Sequence, residues 1–348
     1  MGTKILAIES SCDETSAAVV TDEDPRILSN IVYSQIEVHK KYGGVVPEQA
    51  ARCHIDNIDK VITEALDTAK LDLHRDIDII AVTAGPGLIG GLLVGVITAK
   101  TMALLTKKPF MAINHLEAHI LTPRLCYKDL QFPYVALLAS GGHFIFAEIK
   151  GTGDYRVLGE TLDDAAGEAF DKVARMLGFP YPGGPSIEMA ATKGDKNRFQ
   201  YTIPLLKQIN KCNGSFSGLK TATKIHIEKI GSENLREQDK CDIAASFQET
   251  VTKFIVRQFL RAISMASSPI KTIVLCGGVA ANKNIRNSIQ NLADIRNLLF
   301  YAPPLDLCSD NAAMIGWSAI ERNFAGFPYS PLDFPAKPRW RIDTLNQK

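Results

Sequence analysis

His115 and His119 stand four residues apart in the stretch His-Leu-Glu-Ala-His. On an α-helix this spacing puts both imidazoles on one face, where they can share a metal ion. Glu117 lies two positions from each and points elsewhere. A zinc peptidase of the HExxH type needs its general base directly after the first histidine, and that place is taken by Leu116. A plain surface or capping pair is the ordinary reading of an isolated HxxxH. Here the pair opens a helix between two glycine-loop units, which favours a metal centre.

A divalent ion needs further ligands, and a carboxylate from elsewhere in the chain is the usual supplement. Asp310 fits, because Ser309-Asp310-Asn311 reads as a capping cluster at the start of a helix over 310–324, and cap and ligand are compatible roles. Asp13 and Glu14, in the loop Ser10-Ser11-Cys12-Asp13-Glu14-Thr15, are either turn formers or groups near the reacting centre. Ser140-Gly141-Gly142-His143 reads as a tight turn whose glycines let a ligand approach backbone N–H donors. Asp171 is either a helix-surface acid or a ligand-binding group. Pro182-Gly183-Gly184-Pro185 reads as a turn whose glycines can line a sugar or base.

These groups need scaffolding, and the apolar runs supply it. Lys4–Glu9 and Ser16–Thr21 read as strands around a polar loop, and Tyr134–Ala139 and Phe144–Lys150 repeat the plan. Ile79–Thr83 leads through Gly85-Pro86-Gly87 into an apolar helix. Thr272–Leu275 leads through Gly277-Gly278 and Asn282 into a helix ending near Gln290. Both loops present backbone N–H groups at a helix start, where phosphate binds well. Two hairpins and two glycine loops in matching order point to an internal duplication. Helical periodicity is clear over Pro47–Ala69, His115–Arg124, Asp164–Leu177, Ile243–Ala266 and Asp310–Phe324.

The pattern predicts a duplicated two-lobe α/β fold of the actin–hexokinase–Hsp70 type with a central nucleotide cleft. The expected lobes are 1–113, completed by a helix at about 310–326, and 114–309, with an insertion at about 180–240. An irregular tail follows over 327–348. The insertion carries Lys193, Lys196, Lys207, Lys211, Lys220 and Lys224, which reads either as a solvated surface or as an RNA contact.

With 348 residues and a net charge of +1, the chain lacks the overall basic excess of a protein that grips nucleic acid unaided. RNA contact must come from local patches or partners. The seven cysteines are scattered and never form CxxC, which argues against a disulfide framework or zinc ribbon and for a reducing compartment. The N-terminus has neither a signal-peptide nor a myristoylation pattern. Residues 79–99 are uncharged and as long as a membrane span, but the glycine–proline break divides them into a buried strand and a buried helix, with no membrane crossing.

The stretches IESSCDETSAAVV, GGVVPEQAARCHI, TAGPGLIGGLLVG, NHLEAH, LLASGGH, GETLDDAAGEAFDKVARMLG, YPGGPSIE, FSGLKT, GGVAAN and CSDNAAMIG together resemble the bacterial TsaD family of tRNA threonylcarbamoyladenosine transferases, once labelled glycoproteases. They run through nearly the whole chain in the family's order. The resemblance implies transfer of threonylcarbamoyl from threonylcarbamoyl-AMP to N6 of adenosine 37 in tRNAs reading ANN codons, with release of AMP. It implies His115, His119 and Asp310 as ligands of one divalent metal, Fe2+ first and Zn2+ as the alternative. Leu138, Ala139, Ser140, Gly141, Gly142, Asp171, Gly184 and Asn282 match substrate-binding positions, with an ATP-type nucleotide in the cleft. Asp13 or Glu14 would accept the amine proton. The implied partners are tRNA, a TsaB-like paralogue, a TsaE-like ATPase and an upstream threonylcarbamoyl-AMP synthase, in the cytoplasm, with a homodimer when the chain is alone. The competing readings are a metal-dependent glycopeptidase and an ATP-hydrolysing enzyme of the same fold.

Overall fold

A computed structural model describes residues 2–208 and 210–345. Met1 and the last three residues of the expected tail lie outside the described residues. The strands are β1 (Lys4–Glu9), β2 (Glu14–Thr21), β3 (Ile27–Ser34), β4 (Ile79–Gly85), β5 (Phe110–Asn114), β6 (Tyr134–Ala139), β7 (Phe144–Gly151), β8 (Asp154–Glu160), β9 (Thr272–Cys276) and β10 (Leu299–Tyr301). The helices are α1 (Ile36–Lys40), α2 (Pro47–Ala69), α3 (Ile89–Thr106), α4 (His115–Cys126), α5 (Ala166–Met176), α6 (Gly183–Ala191), α7 (Ser217–Ile230), α8 (Glu237–Met265), α9 (Lys283–Arg296) and α10 (Ala312–Phe324).

The chain divides into two compact units. The first comprises 1–129, 151–155 and 309–348, and the second 130–150 and 156–308. The expected division at 113 thus shifts to 129, so the histidine helix α4 and the tail belong with the first unit. The sheets have orders β3-β2-β1-β4-β5 and β10-β9-β6-β7-β8. In each, a hairpin (β1–β2, β6–β7) pairs antiparallel and its first strand pairs parallel with the strand of a glycine-loop unit (β4, β9). The two strand orders correspond one to one, which is the duplication that the two hairpins predict.

In the first unit the β1 and β4 side chains are buried on both faces apart from Lys4. This explains why their sequences are apolar runs rather than alternating ones. Helices α2 and α3 cover one face and α10 packs against β1 and β2 on the other. α10 comes so close that a Cβ on Gly316 would lie 2.8 Å from Val20 Cγ2. α3 likewise rides on the β1–β2 loop, where a Cβ on Gly91 would lie 2.3 Å from the Ser10 carbonyl. Glycine there allows contact between helix and loop, and Ser10 Oγ donates to the Gly91 carbonyl at 2.9 Å.

Two expectations change. The apolar helix α3 is not a buried one. By length and composition it could cross a membrane, but one third of it is buried, and Ile89, Leu93, Ile97, Leu104 and Leu105 are exposed. Pro182–Pro185 is not merely a turn, because α6 begins at Gly183 with Pro182 as its cap. Pro185 sits in the first turn, where a missing N–H costs nothing. The tail is irregular but firmly held. Ser330 N–H donates to the Phe110 carbonyl at 2.8 Å, Lys337 N–H to the Ala84 carbonyl at 2.7 Å, and Phe334 and Trp340 pack on the first unit's core.

The Gly316 contact gives a sign-defined prediction. Alanine gains about 1 kcal/mol in a helix interior, but overpacking a tight interface costs about 1–3 kcal/mol. Gly316→Ala should therefore lower the apparent Tm in a thermal melt; an unchanged or higher Tm would contradict the close packing of α10.

Candidate functional site

Asn114 ends β5 and caps α4, its Oδ1 accepting from Leu116 N–H at 2.9 Å and Glu117 N–H at 3.2 Å. This cap fixes where the helix starts, so His115 and His119 project from its first turns. The amide nitrogen of Asn114 donates to the Trp340 carbonyl at 3.0 Å, which ties the cap to the tail.

His119 Nε2 lies 3.0 Å from Asp310 Oδ1, and His115 Nε2 lies 3.6 Å from the same oxygen. The three potential ligand atoms all fall within 4.8 Å of one another. Asp310 does not start the last helix: Asn311 is the cap, accepting from Met314 N–H at 3.2 Å. Asp310 therefore sits one residue before the cap, with its carboxylate against both histidines.

His115 is held from behind. Its Nδ1 lies 3.0 Å from Glu9 Oε2 and 3.2 Å from Ser11 Oγ. Glu9 is completely buried; it also accepts from Thr83 Oγ1 at 2.6 Å and Ser11 N–H at 2.5 Å. A carboxylate on the far nitrogen of an imidazole is the usual support of a metal-ligating histidine, because it fixes the tautomer and ring orientation. The set of two imidazoles, one carboxylate and this support fits a divalent ion. Burial, with the carboxylates of Asp13 and Asp310 adding to it, pushes the Glu14 carboxyl well up.

Glu117 is not available as a base. Tyr155 OH donates to its Oε1 at 2.7 Å and Arg322 Nε to its Oε2 at 2.7 Å. The glycopeptidase reading loses its last candidate base on this helix.

Asp13 and Glu14 lie in the first unit with the histidines, and the second unit carries the predicted substrate-binding residues. A pocket of about 210 Å³ is lined by Gly141, Asp171, Gly184 and Asn282, joined by Phe170 and Gly278. Added Cβ atoms at Gly141, Gly184 and Gly278 would meet nothing within 4 Å, so a ligand can lie against bare backbone. Asp171 Oδ1 accepts from Gly183 N–H at 2.7 Å and positions the start of α6. Asn282 is committed on both sides: Oδ1 caps α9 at Ile285 N–H, 3.0 Å, and Nδ2 donates to Gln248 Oε1 at 2.8 Å. Leu138 and Ala139 are wholly buried in β6, so their side chains cannot meet a ligand; Ser140 and Gly142 lie in the open turn beyond. Ser140 Oγ accepts from His143 N–H at 3.2 Å.

The two glycine loops differ. In the first, Gly87 N–H donates to the Pro338 carbonyl and Leu88 N–H to the Ser11 carbonyl, so these donors do not await an anion. In the second, Gly277 has φ +84° and leads into a short 3-10 turn over Gly278–Ala281 at the pocket. Sequence reading missed Phe170 and Gly278 as lining groups. Phe170 precedes Asp171 on α5, and Gly278 lies four residues before Asn282, so helix and loop spacing carried the signal.

Architecture and site define an α/β protein of the actin–hexokinase–Hsp70 class with a histidine–carboxylate centre. Two solved structures share that fold: HypF from T. kodakarensis, at TM-score 0.60 and 14% identity over 93% of this chain and 48% of that one, and component A of (R)-2-hydroxyglutaryl-CoA dehydratase from Acidaminococcus fermentans, at 0.52 and 14% over 94% and 99%. The profile of the family "TsaD: tRNA N6-adenosine threonylcarbamoyltransferase" matches residues 26–317. Proteins of that name from Methylorubrum populi (52% identical, covering 97% of both chains) and Rhizobium meliloti (48%, covering 98% of this chain and 96% of that one) are similar over almost their whole length. The chain belongs to the TsaD family, and is an acyltransferase that forms threonylcarbamoyladenosine on tRNA.

Burial disfavours the imidazolium of His115, but the Asp310 and Glu9 carboxylates outweigh it and raise the ring from 6.5 to about 9. In the metal-free protein this pairing adds stability that is complete below about pH 6.5 and fades as pH rises through about 9. A metal takes only the neutral ring, so binding at pH 7.5 should release one proton from His115. Calorimetry in buffers of different ionisation enthalpy measures it: affinity should rise about tenfold per pH unit from pH 7 to 8. Binding without proton release would contradict the assignment of His115.

Proposed function

We propose that the transferred group comes from threonylcarbamoyl-AMP and goes to N6 of adenosine 37 in tRNAs reading ANN codons, with His115, His119 and Asp310 holding one divalent ion. Fe2+ is the first choice and Zn2+ the second. The observation that carries this reading is the convergence of three ligand atoms within 4.8 Å, with Glu9 on the far side of His115. In the reaction a bond forms between N6 and the carbamoyl carbon and the bond from that carbon to the phosphate oxygen breaks. AMP leaves with the electron pair and N6 loses one proton. The exocyclic amine is a weak nucleophile, so the acyl carbon must be held in place and activated. A bound ion supplies charge compensation for phosphate or carbamoyl oxygen.

The glycine-lined pocket of the second unit takes the nucleotide of the donor, with backbone of Gly141, Gly184 and Gly278 against it and Asp171 keeping the start of α6 in place. Glu14 is one candidate acceptor for the N6 proton. Asp13 is the other candidate, and both follow directly on the loop that Glu9 anchors beside His115. Seven free cysteines and a tRNA substrate favour the cytoplasm.

The exposed stripe Ile89, Leu93, Ile97 and Leu104 on α3 supports a helical apolar partner. We assign it to the TsaB-like paralogue, or to a second copy when the chain is alone. The TsaE-like ATPase and the upstream synthase complete the system.

Unmodified tRNA, ATP, threonine, bicarbonate and the upstream synthase, with and without the two partners, provide the test, read by mass spectrometry of digested nucleosides. Threonylcarbamoyladenosine should form, and His119→Ala or Asp310→Ala should reduce it about 100-fold or more. Glu14→Gln or Asp13→Asn should slow single turnover. Ile97→Glu with Leu104→Glu should remove only the stimulation by the paralogue. No product in any combination with folded, metal-loaded protein would contradict the reading.

A further inference from the structure

The second unit holds another cavity, of about 480 Å³, between the segment around Tyr201 and Leu205 and the helix α7. That is the size of a ligand site rather than a packing defect. One face of α7 supplies Gly218, Leu219, Ala222, Ile225 and His226, spaced as successive turns of a helix. The His226 and Tyr201 rings lie 5.1 Å apart, tilted by 51°. His226 Nδ1 is buried with no hydrogen-bond partner among the described residues, and burial lowers its pKa, favouring the neutral ring. Gln200 and Thr202 add polar edges. The opposite wall is braced, since Arg261 donates to the Leu205 and Leu206 carbonyls at 3.2 and 2.8 Å.

Charge follows one wall of this cavity in sequence. Lys207, two residues after Leu205, and Lys211, one residue before the buried Cys212, are both exposed. Neither has an ion-pair partner among the described residues, whereas Lys220 is spent on Asp164 at 2.7 Å. The nearby Asp163 carboxylate is itself engaged, accepting from Ser215 Oγ, Ser217 Oγ and Phe216 N–H. Flat rings, an apolar floor, polar edges and unpaired lysines are what an unstacked nucleotide requires: a base on the rings and phosphates on the ammonium groups. An apolar peptide side chain would use the floor but would have no need of the lysines. A chain with net charge +1 must also find its RNA grip locally.

We propose that this cavity takes an unpaired nucleobase of the tRNA substrate, with its flanking phosphates on Lys207 and Lys211. The proposal rests on tRNA being the substrate of the family and adds a second contact to it, separate from the donor pocket.

Gly218 provides a clean probe, because an added Cβ there meets nothing within 4 Å. Gly218→Leu puts a side chain into the cavity from a position where its first carbon meets no neighbour, and Lys207→Glu with Lys211→Glu alters only exposed charge. Binding of labelled unmodified tRNA to the full chain, assembled with the partners that product formation requires, is measured by fluorescence anisotropy at several salt concentrations. AMP binding serves as the control. Gly218→Leu should weaken tRNA binding about tenfold with an unchanged salt slope. The lysine variant should weaken binding and reduce the slope by roughly 1.4. AMP binding should stay as in the wild type. Unchanged tRNA binding by both variants, with product still formed, would overturn this inference and leave the transfer reaction intact. Loss of a protein partner's binding in Gly218→Leu, with tRNA binding intact, would overturn it in favour of a peptide site.

Discussion

A carboxylate with no solvent exposure needs several donors to repay its desolvation, and Glu9 finds them on three separate segments. Ser11 N–H comes from its own loop, Thr83 Oγ1 from β4, and the His115 ring from the start of α4. Burial alone would raise the Glu9 carboxyl, but His115 and the hydroxyl of Thr83 bring it below its ordinary value. The glutamate thereby ties the β1 loop and the β4 strand to the helix that carries both histidines. If it moved, His115 would lose its orienting partner and the loop that holds Asp13 and Glu14 would lose its anchor.

The rest of the first unit serves the same geometry. Gly91 lets α3 press against Ser10, which keeps the Glu9–Glu14 loop from relaxing outward. The tail reaches across to the Ala84 carbonyl, to Gly87 N–H and to the Asn114 amide. It thus pins both the first glycine loop and the cap of α4. That loop matches the family motif in sequence, yet its donors are spent inside the protein. The anion-ready glycines are in the second unit, where added Cβ atoms at Gly141, Gly184 and Gly278 would meet open space.

Much of this was legible in the sequence because it depends on local periodicity. The four-residue histidine spacing gave the shared face, and Pro47–Ala69 coincides with α2 as it stands in the structure. The paired hairpins and glycine loops gave the duplicated sheets. What escaped depends on tertiary contacts. Glu9 reads in sequence as the last residue of an apolar strand, and nothing local shows that it faces His115, which is 106 residues away. Asp310 was placed one residue too far into its helix because Asp and Asn are equally good caps, and only the long-range pull of the histidines separates them. The exposure of α3 escaped because an apolar helix looks the same whether its outer face meets core, partner or solvent.

The central claim is that the histidine pair, Asp310 and the Glu9 support form one metal centre. X-ray absorption spectroscopy of the metal-loaded full chain reads that shell directly. The account predicts two imidazole nitrogens and carboxylate oxygen at about 2.0–2.2 Å for zinc, with outer-ring scattering from two histidines and no sulfur. A sulfur shell at about 2.3 Å, or a shell without histidine scattering, would contradict it.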